Sequence, residues 1–186
     1  MRVFWFDFCV LLFKIFKMKN LVIIMLVFLC VPQISISQTK KEIKEQKSEK
    51  EYKALKELLN SKIYVFDADW LSTSRGRRIN VAGGSNSLAI VKDSTKAAMQ
   101  FFGEVTSIRF NNESGVAFNN AIQNYELKFN DKKRKATVSF NVKNDAEYYT
   151  IFMSINKNGY AFVDVYSNRK SNVTYDGVVS PIIKQK

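Results

Sequence analysis

The chain has 186 residues and a net charge of +12, and it contains no histidine. The length is enough for one domain behind a targeting segment, and the 46% hydrophobic content is ordinary for a globular protein. The absence of histidine removes the commonest general base and the commonest metal ligand, so that only carboxylates, Tyr, Lys and Arg remain for chemistry.

The N-terminal region, residues 1–37, is predicted to be a targeting segment. After Met18 come a basic residue, an apolar block over 21–31, and small residues at the two positions that a signal peptidase reads. We therefore expect a true start at Met18, cleavage between Ser37 and Gln38, and a periplasmic or secreted location.

The first 17 residues leave a second interpretation of this region open. They are also apolar, so that the two runs together could form one uncleaved membrane anchor, although Lys14, Lys17 and Lys19 would then lie within the span at a considerable energetic cost. Leu29 rather than a small residue precedes Cys30, which argues against lipidation. Cys9 lies in the same region, and a mature chain would contain neither cysteine nor any disulfide.

Residues 38–62 are predicted to form a charged helix. This segment is rich in Lys, Glu, Leu and Ala and has no Pro or Gly. Its apolar residues are concentrated in the second half, at Tyr52, Leu55, Leu58 and Leu59. We expect the helix to dock from Tyr52 onward and to fray before about Glu49.

A β domain is predicted over residues 63–181, followed by a tail at 182–186. In its first strand the aromatic residues alternate with carboxylates, so that one predicted face holds Tyr64, Phe66, Ala68 and Trp70 and the other holds Asp67 and Asp69. Short runs at 78–81, 88–91 and 95–102 follow between loop signals. The pattern over 104–124 is weaker and favours one strand around 105–110 and another around 116–118.

Four consecutive strands with short polar turns are predicted between Tyr125 and Ser167. Each alternates apolar and polar residues with period two, and Gly159 supplies the positive φ of one hairpin turn. Phe152 and Phe162 fall on the nominally polar faces. We therefore expect a helix or a second sheet to cover part of that second face.

The complete pattern predicts a mainly β fold: an antiparallel β-barrel or β-sandwich of about 8–10 short strands with one N-terminal helix. Parallel βαβ units are excluded because no helix separates the strands.

Several short motifs in this order resemble the Bacteroidetes envelope proteins grouped as domain of unknown function 4251. The motifs are Tyr64–Trp70, Arg75–Arg78, Phe101–Gly103, the strand pair Tyr125–Val142, and Val173–Gly177. Where such proteins would have a Leu-Pro-Tyr-Phe-Gly type of run, this chain has Met99–Gly103. The resemblance implies an exported, β-rich protein and implies no activity and no catalytic residues.

The ligand-binding candidates are an aromatic group and an arginine-rich loop: Tyr64, Phe66, Trp70, Arg75, Arg77 and Arg78. The aromatic group either fills a core or lines a cavity. The arginines either grip a phosphate or carboxylate, or pair with Asp67 or Asp69. Asp93-Ser94-Thr95 fits a bacterial O-glycosylation acceptor, with Ser94 as the modified residue, or forms a plain turn.

Function is predicted as an exported non-enzymatic protein that binds a small molecule, a glycan or an envelope protein. No cofactor, metal or nucleic acid is expected, and membrane contact is expected only through an uncleaved signal segment. The alternative is a periplasmic hydrolase that uses carboxylates alone, with Asp67 and Asp69, or Asp164 and Asp176, as the pair. Asp164 and Asp176 also stand among aromatic residues, where they either line a sugar-binding patch or, as buried or half-buried carboxylates, cap a turn.

Overall fold

The computed structural model describes residues 40–105, 115–145 and 147–182. In these ranges the chain forms one helix followed by nine strands. The elements are α1 (Lys40–Ser61), β1 (Ile63–Thr73), β2 (Arg78–Asn80), β3 (Ser87–Val91), β4 (Ser94–Gln100), β5 (Gly115–Asn130), β6 (Lys135–Asn144), β7 (Glu147–Asn156), β8 (Tyr160–Ser167) and β9 (Val173–Pro181).

The sheet closes on itself as an antiparallel barrel. Strands β1 and β3 to β9 each pair with the next, and β9 pairs back onto β1 from Tyr64↔Pro181 to Thr73↔Val173. The short β2 adds to β1 next to Trp70 and lies outside the ring of eight. The mainly β prediction is thus confirmed, with the barrel as the correct one of its two architectures.

The core lies inside the barrel, where every second residue of each strand points. The largest fully buried side chains include Tyr64, Phe66, Phe140, Tyr149 and Tyr175. An eight-stranded barrel is just wide enough for side chains to fill its interior, and each such residue contributes about 1.5–3 kcal/mol of transfer free energy.

Two predicted strands are in fact one. The prediction placed separate strands around 116–118 and from Tyr125, but β5 runs through both, with a register shift between Gln123 and Glu126. Asn124 adopts a φ of 53° at this irregularity. The shift brings Ile122 and Tyr125, three positions apart, to the same partly buried side, which period-two reasoning cannot do.

Helix α1 packs on the end of the barrel that carries the β5–β6 and β7–β8 turns. Its buried residues are Tyr52, Leu55, Leu59 and Ser48. The prediction that the helix frays before Glu49 is wrong: α1 starts at Lys40, because Arg134 forms an ion pair with Glu45 and donates to the Ser48 hydroxyl at 2.7 Å. Polar contacts therefore hold the half of the helix that has no apolar stripe.

The predicted targeting segment, the strand expected around 105–110 beyond Val105, and the last four residues of the tail lie outside the described residues. Val105 itself forms a single antiparallel bridge with Lys170. Within the described ranges, no helix has the length and apolar character needed to cross a membrane.

Candidate functional site

A set of aromatic side chains on β7, β8 and the end of β1, together with one valine on β9, lies on the outside of the barrel. We call this set the outer aromatic face and define it as Trp70, Phe152, Tyr160, Phe162, Tyr166 and Val178. Phe152, Phe162, Tyr166 and Val178 are each 41–44% exposed. The prediction that a helix or a second sheet covers Phe152 and Phe162 is wrong for the described part of the chain, because in a closed barrel their strand faces point outward.

Strand register brings these side chains together. Phe152 lies opposite Asp164 and Phe162 lies opposite Ser154, so the two rings are diagonal neighbours across β7 and β8. Phe152 meets Tyr166 edge to face, with ring centroids 5.9 Å apart, and Tyr160 meets Phe162 in the same manner at 5.4 Å. Such T-shaped pairs stabilise aromatic clusters beyond the area they bury.

Trp70 reaches this face because of a bulge in β1. The register with β9 shifts between Ala68 and Trp70, so that Leu71 returns to the core and Trp70 points outward beside Asp176. The prediction that Trp70 shares a face with Tyr64 and Phe66 is wrong for this reason.

A buried carboxylate with two donors lies at one side of the outer aromatic face. Asp176 is 4% exposed, and its Oδ2 accepts from the Arg78 guanidinium at 2.5 Å and from the Tyr160 hydroxyl at 3.1 Å. The same guanidinium stacks 4.8 Å from the centroid of the Trp70 ring. Burial and the neighbouring Asp176 carboxylate raise the pKa of Tyr160, so the phenol remains a donor.

Comparison with known proteins places this architecture in a family. The family model described as "Domain of unknown function (DUF4251)" matches residues 46–179. The chain belongs to this family. The matched region contains the second half of α1 and the whole outer aromatic face, which confirms the resemblance seen in the sequence motifs.

A solved structure of the DUF4251 family supports the same fold. The crystal structure of a family protein from Bacteroides eggerthii DSM 20697 is similar to this chain, with a TM-score of 0.57 and 17% sequence identity, and the match covers 70% of this chain and 87% of that one. At this identity the similarity shows the fold alone. No curated protein matches the chain.

The predicted ligand-binding residues of this DUF4251 member are divided between the two sides of the barrel wall. Tyr64 and Phe66 are fully buried inside, where the Tyr64 hydroxyl lies 3.3 Å from that of Tyr125. Burial raises the pKa of Tyr64 far above its usual range. Trp70 and Arg78 lie outside and contact each other, so the structure brings together these two of the six candidates.

The arginine-rich loop does not act as one unit. Arg75 forms an ion pair with Glu104, whereas Arg78 pairs with Asp176 across the barrel seam. Arg77 is exposed, and its backbone N–H donates to the Thr73 hydroxyl. Arg75 and Arg78 thus pair with residues far away in the sequence and not with Asp67 or Asp69 as expected. The loop that carries them follows β1 and lies at the end of the barrel opposite the helix, where these partners are within reach.

The carboxylates of one of the two pairs that a hydrolase would need, Asp164 and Asp176, accept hydrogen bonds from other side chains. Asp176 is held by Arg78 and Tyr160, and Asp164 accepts from the Thr174 hydroxyl at 2.6 Å. Asp67 is exposed on β1. In the described part of the chain, no three His, Cys, Asp or Glu side chains cluster as a metal site would require. The hydrolase alternative stays a prediction that no contact in this arrangement specifically favours.

Ser94 is exposed at the first position of β4, beside the two-residue turn that joins β3 to β4. The neighbouring Thr95 is buried and donates to the Ala89 carbonyl at 2.9 Å, and Asp93 forms an ion pair with Lys62. Of the two hydroxyl residues, only Ser94 is therefore accessible to a modifying enzyme, and its glycosylation stays a prediction.

Proposed function

We propose that this protein is an exported, non-enzymatic docking domain that binds another envelope protein through its outer aromatic face. The observation that supports this proposal most is the exposure of Phe152 and Phe162, two wholly apolar rings, next to each other on a regular strand face. Contiguous exposed apolar patches of this kind typically mark interaction surfaces.

The composition of the face fits a protein partner. Trp, Tyr, Phe and Arg are the residues enriched at the energetic centres of protein interfaces, whereas Lys is depleted there. Besides the aromatic residues and Val178, the outward positions of β7, β8 and β9 hold uncharged polar residues and the carboxylates Asp164 and Asp176, but no lysine or arginine. Arg78 enters the face from β2 and is already fixed by Trp70 and Asp176.

The free energy available from the face is of the size that association needs. An aromatic side chain has about 150–250 Å² to bury, so the exposed two-fifths of each ring is worth ~2 kcal/mol at about 25 cal/mol per Å². Phe152, Phe162 and Tyr166 together then contribute roughly 6 kcal/mol, comparable with the lower estimates of the entropic cost of association.

A small ligand inside the barrel is less well supported. Tyr64, Phe140, Tyr149 and Met153 occupy the interior and are essentially inaccessible. A ligand would have to displace such side chains, at a cost of several kcal/mol of packing free energy.

Export rests on the apolar segment that ends before Ser37, which has the order of a signal peptide.

Site-specific photo-cross-linking in the native cell envelope tests the proposal. A photoreactive residue is placed at Ser154, which is exposed and lies opposite Phe162. The matched control is Asn119, an exposed position on β5 opposite Lys96. We expect a protein cross-linked from Ser154 but not from Asn119, and we expect Phe162→Ser to reduce it strongly.

Three results would count against the proposal. A cross-linked glycan or lipid, or a cross-link between two copies of this chain, would assign the face to another occupant. Equal cross-linking from both positions would indicate non-specific contact. As a control, Phe162→Ser gives up the buried three-fifths of the ring, worth about 3 kcal/mol at about 25 cal/mol per Å², so its melting temperature should fall by about 6–12 °C and the variant should stay folded in the cell.

A further inference from the structure

One cationic side chain of the protein itself, the guanidinium of Arg78, already lies against the outer aromatic face. It stacks on the Trp70 ring at 4.8 Å and donates to the Asp176 carboxylate at 2.5 Å. A planar cation between an aromatic ring and a carboxylate gains both cation–π attraction and a charge-assisted hydrogen bond. This part of the face shows what chemistry the surface offers to a positive side chain.

A second carboxylate among aromatic rings lies nearby, at Asp164 in the middle of β8. It lies directly opposite Phe152 on β7, and Phe162 and Tyr166 flank it two positions away on the same side of β8. Its Oδ1 accepts from the Thr174 hydroxyl, which fixes the orientation of the carboxylate. Among the residues that the structure describes, no lysine or arginine forms an ion pair with Asp164.

We propose that Asp164 receives a positively charged side chain, an arginine or a lysine, from the protein that docks on the outer aromatic face. This inference rests on the proposed docking function and specifies the chemistry of the partner. When a partner covers Phe152 and Phe162, the carboxylate between them loses water, and a desolvated carboxylate needs donors and positive charge in exchange. A cationic side chain supplies both and also contacts the rings.

The charge distribution of the barrel supports a basic partner. The chain has a net charge of +12, and β4, β5 and β6 carry outward lysines, namely Lys96, Lys128, Lys135 and Lys143. By contrast, β1, β7, β8 and β9 contain no lysine or arginine.

The same four strands carry several carboxylates outside the core. Asp67, Asp69, Asp164 and Asp176 lie on these strands, and Arg78 of β2 pairs with Asp176, so that these five residues sum to a charge of −3. An acidic region on an otherwise basic protein attracts basic partners and repels acidic ones. Glycan hydroxyl groups carry no charge, so they would bind without this selectivity.

Nuclear magnetic resonance titration of the purified, isotope-labelled protein tests the inference with three matched peptides. The probes are acetyl-Leu-Arg-Leu-amide, acetyl-Leu-Gln-Leu-amide and acetyl-Leu-Glu-Leu-amide. We expect the Arg peptide to shift the amide signals of Phe152, Asp164 and Tyr166, and to bind about fivefold more tightly than the Gln peptide, as expected for a partly exposed cation–π and ion-pair contact. The Glu peptide should bind most weakly.

Asp164→Asn is the decisive variant, because the amide oxygen can still accept from Thr174 while the charge is lost. It should reduce the preference for Arg over Gln to about one, whereas Glu126→Gln on the lysine-bearing side should leave the ratio unchanged. An unchanged ratio in Asp164→Asn, or Arg-dependent shifts confined to other strands, would overturn the inference.

The two proposals can fail separately. If Ser154 cross-links a protein but the peptides show no preference for Arg, the docking surface stands and the basic partner is refuted. If no protein is cross-linked and no peptide shifts the face, both proposals are refuted.

Discussion

The buried ion pair between Lys170 and Glu147 gives the sharpest prediction about stability. The Lys170 ammonium lies 2.9 Å and 3.0 Å from the two Glu147 oxygens and donates to the Tyr149 hydroxyl at 2.9 Å. The two charged side chains are only 8% and 14% exposed. The pair joins the loop before β9 to the first residue of β7, and the Ser167 hydroxyl also donates to Glu147, at 2.5 Å.

Replacing Lys170 with methionine should lower the free energy of unfolding by about 3–5 kcal/mol, because it leaves the Glu147 charge buried without its cation. For a chain of this size, about 2–4 °C of melting temperature corresponds to each kcal/mol, so a drop of roughly 10 °C is expected. The double variant Glu147→Gln with Lys170→Met removes both charges and should recover most of this loss.

Urea unfolding at neutral pH measures these differences, and the pH dependence provides a second check. Burial alone would raise the pKa of Glu147, but hydrogen bonds from Ser167, Lys170 and Tyr149 and the Lys170 charge outweigh it and lower the pKa. A lowered folded pKa means that the stabilisation is complete above the unfolded value of about 4.3 and is lost as the pH falls through the folded value. A loss below about 1 kcal/mol in Lys170→Met, or a double variant as unstable as the single one, would refute the reasoning.

Three further predictions concern the barrel and its helix. Gly177→Ala should prevent normal closure of β9 on β1, since a Cβ there would approach the Asp67 carbonyl oxygen to 2.0 Å; loss of the folded near-ultraviolet circular dichroism signal checks this, and native-like spectra would contradict it. Leu59→Ala should destabilise the protein by about 2–5 kcal/mol in urea unfolding, since the side chain is fully buried where α1 meets the barrel; an effect below about 0.5 kcal/mol would show that α1 is not packed there. Burial raises the pKa of Tyr64 and Tyr175, so their stabilisation is complete below the unfolded value of about 10 and falls as the pH rises above it; a urea midpoint unchanged between about pH 9 and 11 would refute this.

Much of the barrel follows from local sequence patterns. Period two predicted the strands from Tyr125 to Ser167, and the hairpin glycine Gly159 has the expected positive φ, of 83°. These features depend on neighbouring residues alone, since side-chain alternation and turn geometry are local properties.

The predictions fail where the alternation of side chains along a strand is interrupted, and where barrel closure determines which side of a strand is exposed. The bulge before Trp70 and the irregularity at Asn124 each change which side the following residues face, and neither has a strong sequence signal. Phe152 and Phe162 are apolar residues on polar strand faces, a pattern that predicts a covering layer, whereas the described barrel leaves both rings on an exposed outer surface.

The candidate site depends on contacts that sequence reasoning cannot place. Arg78 and Asp176 are 98 positions apart and meet only because β9 pairs back onto β1. Trp70 and Arg78 were both among the predicted binding residues, but their contact with Asp176 and Tyr160 follows from barrel closure. The sequence signal for this face is the set of aromatic residues at the outward positions of β8, a strand that contains no lysine.

The most direct test of the docking function is the accessibility of the outer aromatic face inside the cell. Single cysteines at Ser154 and at Asn119 are labelled with a membrane-permeant maleimide, in intact cells and in the purified protein, with the signal of the native chain subtracted. We expect Ser154→Cys to react much more slowly in cells than after purification, and Asn119→Cys to react at similar rates in both. Equal labelling of Ser154→Cys in cells and in solution would show that no partner covers the face, and would contradict the docking function.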